Sequence, residues 1–465
     1  MTKGKTRLIL LIAIVVLALG GLGLAINAGG SDQLDPPPVQ ASAAKTDLSS
    51  PPSTGDAPST VAAPETALVP EAAADTTLDP DAAEAPPPHD AVAPAPQQAK
   101  EVVEIEPDPD YEDALRNAGI STRGWLTDFS RHAVPYDSII SGGPPRDGIP
   151  PLDAPTFTTP SEAQQWLGAS EPVIAFELNG DARAYPLQIL TWHEIVNDVV
   201  GDEPVTITFC PLCNAALVFD RRLDGVIHDF GTSGKLRNSD LIMWDRQTES
   251  WWQQFTGEAI VGELTGKHLD ILPASIISFA DFAAAHPDGA ILSNDTGFSR
   301  PSGSNPYAGY DRADQPPFLF DGNLDGRLLP KERVAAISIG EVDAAFPFSI
   351  LEEERAVNYT VNGKDLVVFF KFGTASALDQ RSISGSRDIG ATGVFDGQLN
   401  GRTLTFRADG DDIVDNETGS VWNILGHAVE GELAGQRLEP VVHANHFWFS
   451  WGAFKPDTLI YRGVG

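Results

Sequence analysis

The residues best suited to chemistry are the chain's only two cysteines, Cys210 and Cys213, which stand together as Cys-Pro-Leu-Cys. A disulfide across two intervening residues closes too small a loop to stabilise a fold of this size appreciably. A single close pair in a chain of 465 residues is also no disulfide framework. The pair therefore reads as chemical. Two thiolates at this spacing chelate one soft metal ion or close a labile disulfide. Val205-Thr-Ile-Thr-Phe209 alternates as a strand does, so Cys210 follows directly on a strand. Pro211 then fixes a turn that brings both sulfurs to one side.

Imidazole and thioether would complete a soft donor set. His193 is the expected third ligand and Met243 a weak fourth. Cys210, Cys213, His193 and Met243 together suit copper, whereas zinc would sooner take a second pair of Cys or His. Each residue also has a plainer role. His193 follows Trp192 on an amphipathic stretch and can be a hydrogen-bonded structural histidine. Met243, in Leu-Ile-Met-Trp, can be strand core. His443 and His446, in Val-Val-His-Ala-Asn-His-Phe-Trp-Phe, can cap an aromatic cluster.

Three readings follow. The first is soft-metal (copper) binding. The alternative is a thiol–disulfide oxidoreductase, against which no thioredoxin-like βαβ pattern surrounds the motif. The third is a non-catalytic binding or scaffold module in which the pair staples a turn. A glycosidase would draw on Asp240, Asp245, Glu249 and Glu258, with Trp244, Trp251 and Trp252 stacking on sugar. A solvated acidic face and core tryptophans account for the same residues. GxSxG, P-loop, HExxH and GxGxxG motifs are absent from the sequence.

The scaffold that must position these residues reads as an internal duplication. Val173 to Leu190 recurs as Val334 to Leu351, and Val205–Arg221 answers Leu366–Arg381 at the same offset. The segments ending at Trp252 and Trp422 match, as do those starting at Gly262 and Gly431. The copies span about 173–290 and 334–460 and flank a Gly/Pro/Asp-rich insert, Asn294 to Pro330. Cys210, Cys213 and His193 have no counterpart in the second copy, where Lys371, Thr374 and Glu354 stand.

Asn179-Gly180, Asp224-Gly225, Asn362-Gly363, Asp396-Gly397 and Asn400-Gly401 are hairpin dipeptides. Ile189, Trp192, Val196 and Val199 fall at helical spacing after Pro186, and Ser275 to His286 suggests a second helix. The expected fold is mainly β with a few helices, pseudo-symmetric, and barrel- or sandwich-like.

Ahead of this domain, placed at 111–465, the composition changes. Lys3, Lys5 and Arg7 precede an uncharged apolar stretch, Leu8 to Gly30, long enough to cross a bilayer. An uncleaved anchor over residues 1–30 is expected rather than a signal peptide, because Ile26 fits an A-x-A cleavage site poorly. Residues 31–110, rich in Pro, Ala and acidic groups, read as a disordered linker. The membrane is thus an expected partner, with the domain extracytoplasmic in the cell envelope. The net charge of −34 repels phosphate backbones and excludes a nucleic-acid partner.

Several long motifs carry a family resemblance. They are Tyr185-Pro-Leu-Gln-Ile-Leu-Thr-Trp-His-Glu-Ile-Val-Asn-Asp198, Thr208-Phe-Cys-Pro-Leu-Cys-Asn-Ala-Ala216, Asn238-Ser-Asp-Leu-Ile-Met-Trp-Asp-Arg246 and Phe447-Trp-Phe-Ser-Trp-Gly-Ala-Phe-Lys-Pro-Asp457. With Ser141 to Pro150, they resemble the prokaryotic family called domain of unknown function 3179, over about residues 133–465. The resemblance implies an exported prokaryotic protein and places Cys210, Cys213 and His193 in family motifs. It implies no activity.

Overall fold

The structure, a computed structural model, describes residues 105–463. Its hairpins follow from local chemistry. At Asn179-Gly180, Asp224-Gly225, Asn362-Gly363 and Asn400-Gly401, both residues take φ between +48° and +81°. This is the backbone of the tight turn whose twist matches antiparallel strands, and Asn, Asp and Gly tolerate it best. Asp396-Gly397 differs: Asp396 ends a strand and the Gly397 amide donates to the Asp365 carbonyl.

The first repeat opens with the hairpin β1 (Pro172–Leu178) and β2 (Asp181–Pro186), then helix α1 (Leu187–His193). A meander follows: β3 (Ile195–Val200), β4 (Glu203–Cys210) and β5 (Ala215–Asp220). A second meander comprises β6 (Phe230–Arg237), β7 (Asp240–Asp245), β8 (Trp251–Gln253) and β9 (Glu258–Val261). β10 (Ser275–Ser278) returns to pair with β1 and leads into α2 (Phe279–Ala285).

The second repeat runs in the same order. It has β11 (Arg333–Ile339), β12 (Val342–Pro347), α3 (Phe348–Glu354), β13 (Ala356–Val361), β14 (Lys364–Lys371) and β15 (Ala391–Asp396). It continues with β16 (Phe406–Asp409), β17 (Asp412–Asp415), β18 (Val421–Trp422), β19 (Ala428–Glu430), β20 (His443–Phe447) and α4 (Trp448–Phe454), and β20 pairs with β11. The fold is β-rich with a few short helices. Its sheets stay open and sandwich-like, and among the described residues none closes into a barrel.

One device recurs in both repeats. Asp245 accepts from the Thr248 amide at 2.7 Å and the Trp252 indole at 2.9 Å, and Asp415 accepts from Thr418 at 2.6 Å and Trp422 at 3.0 Å. Trp252 belongs to a core cluster that also takes Phe209, Cys213 and Met243 from the first repeat and Val334, Phe447 and Trp448 from the second.

Two expectations need correction. The helix expected from Pro186 to Val199 ends at His193. Glu194 turns to φ +59°, and all six residues from Ile195 then pair with β4. Ile195, Val196, Val199 and Val200 are β-branched, and a paired strand suits them better than a helix. Ser275–Ser278 is likewise strand, and helix α2 begins only where the Ser278 hydroxyl caps the Asp281 amide.

Among the described residues no helix is long and apolar enough to cross a membrane. The anchor expected over residues 1–30, and the linker as far as residue 104, lie outside the described residues. The membrane expected as a partner therefore has no spanning helix among the described residues to support it and is withdrawn.

Candidate metal centre

Strand β4 ends at Cys210, and the chain reverses before β5. The Cys213 amide donates to the Cys210 carbonyl at 3.2 Å, and Asn214 takes φ +54°, which asparagine tolerates. The second repeat clamps this turn. The Phe447 amide donates to the Cys213 carbonyl at 2.9 Å, and Asn214 Nδ2 donates to the Asn445 carbonyl at 3.2 Å. Both thiols are free and buried, with Cys210 2% and Cys213 0% exposed.

A third donor arrives from the neighbouring hairpin. Asn238 and Ser239, at φ +52° and +68°, turn β6 into β7 and place Asp240 at the start of the strand. Both cysteine Sγ atoms and an Asp240 carboxylate oxygen lie within 4.8 Å of one another. Asp240 Oδ2 accepts from Gln253 Nε2 at 2.6 Å and from the Phe255 amide at 2.9 Å. Asp240 is fully buried, yet its Oδ1 has no conventional hydrogen-bond partner. A buried polar atom left in that state is costly and asks for a reason.

The electrostatics are those of an acid cluster. Burial pushes the Asp240 pKa up to about 7, against the hydrogen bonds from Gln253, Phe255 and the thiols. Burial also raises Cys210, helped by the Asp240 and Glu194 charges, and raises Cys213 well above the ordinary thiol value. Glu194, the residue that caps α1, is pushed up to about 8 by burial and by Asp240.

The insert between the repeats covers this centre. The Trp192 indole donates to the Ser304 carbonyl at 3.0 Å, and the Tyr310 hydroxyl donates to the Leu212 carbonyl at 3.0 Å. The Ser239 hydroxyl donates to the Phe318 carbonyl at 2.5 Å.

Of the four ligands expected from sequence, the structure brings Cys210 and Cys213 together. His193 stands apart from their group: Nδ1 lies 2.7 Å from the Pro150 carbonyl, the ring packs on Phe298, and Nε2 is buried without a partner. Met243 is fully buried between Thr232 and Trp252 on adjacent strands. Three residues along from Asp240, it faces the other side of the sheet. His446 packs on Phe255 and Trp451, and His443 bonds the Val441 carbonyl. Among the proposed glycosidase residues, Asp245 is committed to its turn, and Trp251 and Trp252 are core rather than a sugar platform.

Sequence reasoning grouped Asp240 with a solvated acidic face and passed over Glu194. One signal for both was present. Counted back from the matched Asp245 and Asp415, Asp240 answers Gly410; one residue past His193 and Glu354, Glu194 answers Arg355. Like the cysteines, both acids are peculiar to the first repeat.

A family model described as protein of unknown function, DUF3179, matches residues 146–458. The chain belongs to that family. The matched span includes both repeats, the insert and all four acid groups of the cluster. No curated protein and no solved structure matches the chain.

Proposed function

We propose that the chain is a metal-binding protein whose centre is built by Cys210, Cys213 and Asp240. The observation that carries this reading is the convergence of two buried thiols on a buried carboxylate whose Oδ1 has no partner apart from those thiols. Four acidic groups with raised pKa values act on one another there, and the Arg237 charge offsets only part of that of Asp240. A bound cation would supply the missing charge and hold the thiols as thiolates. The donor set favours a divalent ion of the zinc class, which accepts Cys sulfur and Asp oxygen together. Copper was expected on the strength of His193 and Met243. With a carboxylate in their place, only two soft ligands remain for it. The burial of the donors describes a holding site rather than a rapid-transfer site.

Thiol–disulfide exchange is the second reading. It is favoured by the Asp240 carboxyl beside the thiols, which has the pKa of a proton acceptor. The burial of both sulfurs, out of reach of a partner's disulfide, weighs against it.

The test is zinc loading of the full chain by equilibrium dialysis. Wild type should hold about one ion per chain. Cys210→Ser and Asp240→Asn should each lose it, while Met243→Leu keeps it. Equal loading in all four proteins would dispose of the site.

A further inference from the structure

Resting on the metal reading, we infer that Glu194 is the fourth ligand and closes the centre as two thiolates and two carboxylates. The backbone supplies the first reason. Glu194 ends α1 with φ +59°, a left-handed conformation that an L-residue bearing a side chain adopts at some cost. Its amide donates to the Leu190 carbonyl at 2.7 Å, and its carbonyl accepts from the Phe209 amide at 2.8 Å. Both ends of the residue are thereby fixed, and Phe209 adjoins Cys210.

The duplication supplies the second reason. Arg355 occupies the same cap position after α3, at φ +66°, and its carbonyl accepts from the Phe370 amide at 2.8 Å. The backbone is thus a shared structural feature, while the side chain is particular to each repeat. Arg355 Nη1 lies 3.7 Å from Asp411 Oδ1, in the turn between β16 and β17. The cap side chain of the second repeat therefore reaches that hairpin and brings a cation to an acid. In the first repeat the cap is an acid, and the corresponding hairpin begins its second strand with another acid, Asp240. Two acids thus stand at the seam where the second repeat has an acid and an arginine; Arg237 offsets part of the Asp240 charge, and a bound cation would offset the rest.

The third reason is the state of the Glu194 side chain. The residue is 7% exposed, so its carboxylate is largely withdrawn from water. Its charge bears on Asp240, Cys210 and the buried Tyr307. It lies outside the 4.8 Å group, so ligation requires its carboxylate to move in, from a backbone held beside Cys210 by the Phe209 amide. The four acid groups also disappear together: Cys210, Cys213, Asp240 and Glu194 answer Lys371, Thr374, Gly410 and Arg355. Coordinate loss of all four is what a single ion-binding unit would show.

The test uses the full chain and zinc alone. Glu194→Gln should weaken zinc binding between about 10- and 100-fold in competition with a chromophoric chelator. Cobalt substituted for zinc should change its visible absorption in the variant, a readout that a purely structural role would not move. X-ray absorption of the unmutated, zinc-loaded protein keeps the inference testable if the variant does not fold. Two sulfur and two oxygen neighbours are expected, and an imidazole signature would overturn Glu194 as fourth ligand. Unchanged affinity and an unchanged cobalt spectrum in Glu194→Gln would also overturn it, leaving the three-residue centre intact. Failure of the wild type to bind zinc or cobalt would remove the centre and this inference together.

Discussion

At the scale of single residues, the centre turns on a contest between burial and charge. Burial, helped by their mutual charges, favours the protonated forms of the two thiols and two carboxyls. A metal must displace those protons, so its apparent affinity should rise with pH. With both thiols protonated, the increase is roughly 100-fold per pH unit. Isothermal titration in two buffers of different ionisation enthalpy would count the protons released. About two or more supports thiolate ligation, and none would exclude it. The cysteines were legible in the sequence because the CxxC spacing is itself a chemical statement. Asp240 was not, because an aspartate beside other acids looks solvated until the fold buries it. His193 attracted the role that its neighbour Glu194 is better placed to fill: a helix ending one residue later would have hidden this, and the positive φ at Glu194 is a tertiary outcome.

At the scale of elements, the twin turns at Asp245 and Asp415 hold each repeat's second meander. For Asp245, burial works to raise the pKa, but hydrogen bonds from His228, Trp252 and Thr248 prevail and hold it below the carboxylate range. Asp415 is lowered in the same way by Trp422, Thr418 and Ser420. Asp245→Asn and Asp415→Asn should each cost about 2–3 kcal/mol in chemical denaturation, since either leaves buried donors without an ionised acceptor. A cost confined to one of them would show that the two turns are not equivalent. The hairpins at Asn179-Gly180 and Asn362-Gly363 were readable because their turn chemistry is local. The turn at Asn238-Ser239, which delivers Asp240, was missed because serine at φ +68° has no such signature. The run after His193 was misread for the opposite reason: its apolar spacing fits a helix, and pairing with β4 decided for a strand.

At the scale of the whole molecule, the two repeats share a core, and buried or half-buried histidines of the second repeat make it sensitive to acid. Burial, with Arg437 and His286, lowers His427 to about 4, and burial with His443 lowers His446 to about 3. The unfolded chain protonates its histidines near pH 6.5, so it binds these protons first as pH falls. Stability contributed by the neutral rings is therefore complete above about pH 6.5 and declines toward pH 4. Replacing His446 with Phe should flatten that decline in melting temperature, and an unchanged profile would place the acid lability elsewhere. Matching segments and hairpin dipeptides foretold a β-rich duplicated domain, whereas the Gly/Pro/Asp-rich insert was given no role. It instead packs over the centre through Tyr310 and Phe318.

The central claim is that Cys210 and Cys213 with Asp240 hold an ion. The most direct test is elemental analysis of the full chain purified without chelator, with thiol titration on the same sample. About one zinc-class ion per chain is expected, with thiols that react only after a chelator removes it. Metal-free protein whose two cysteines titrate freely or are already joined would contradict it.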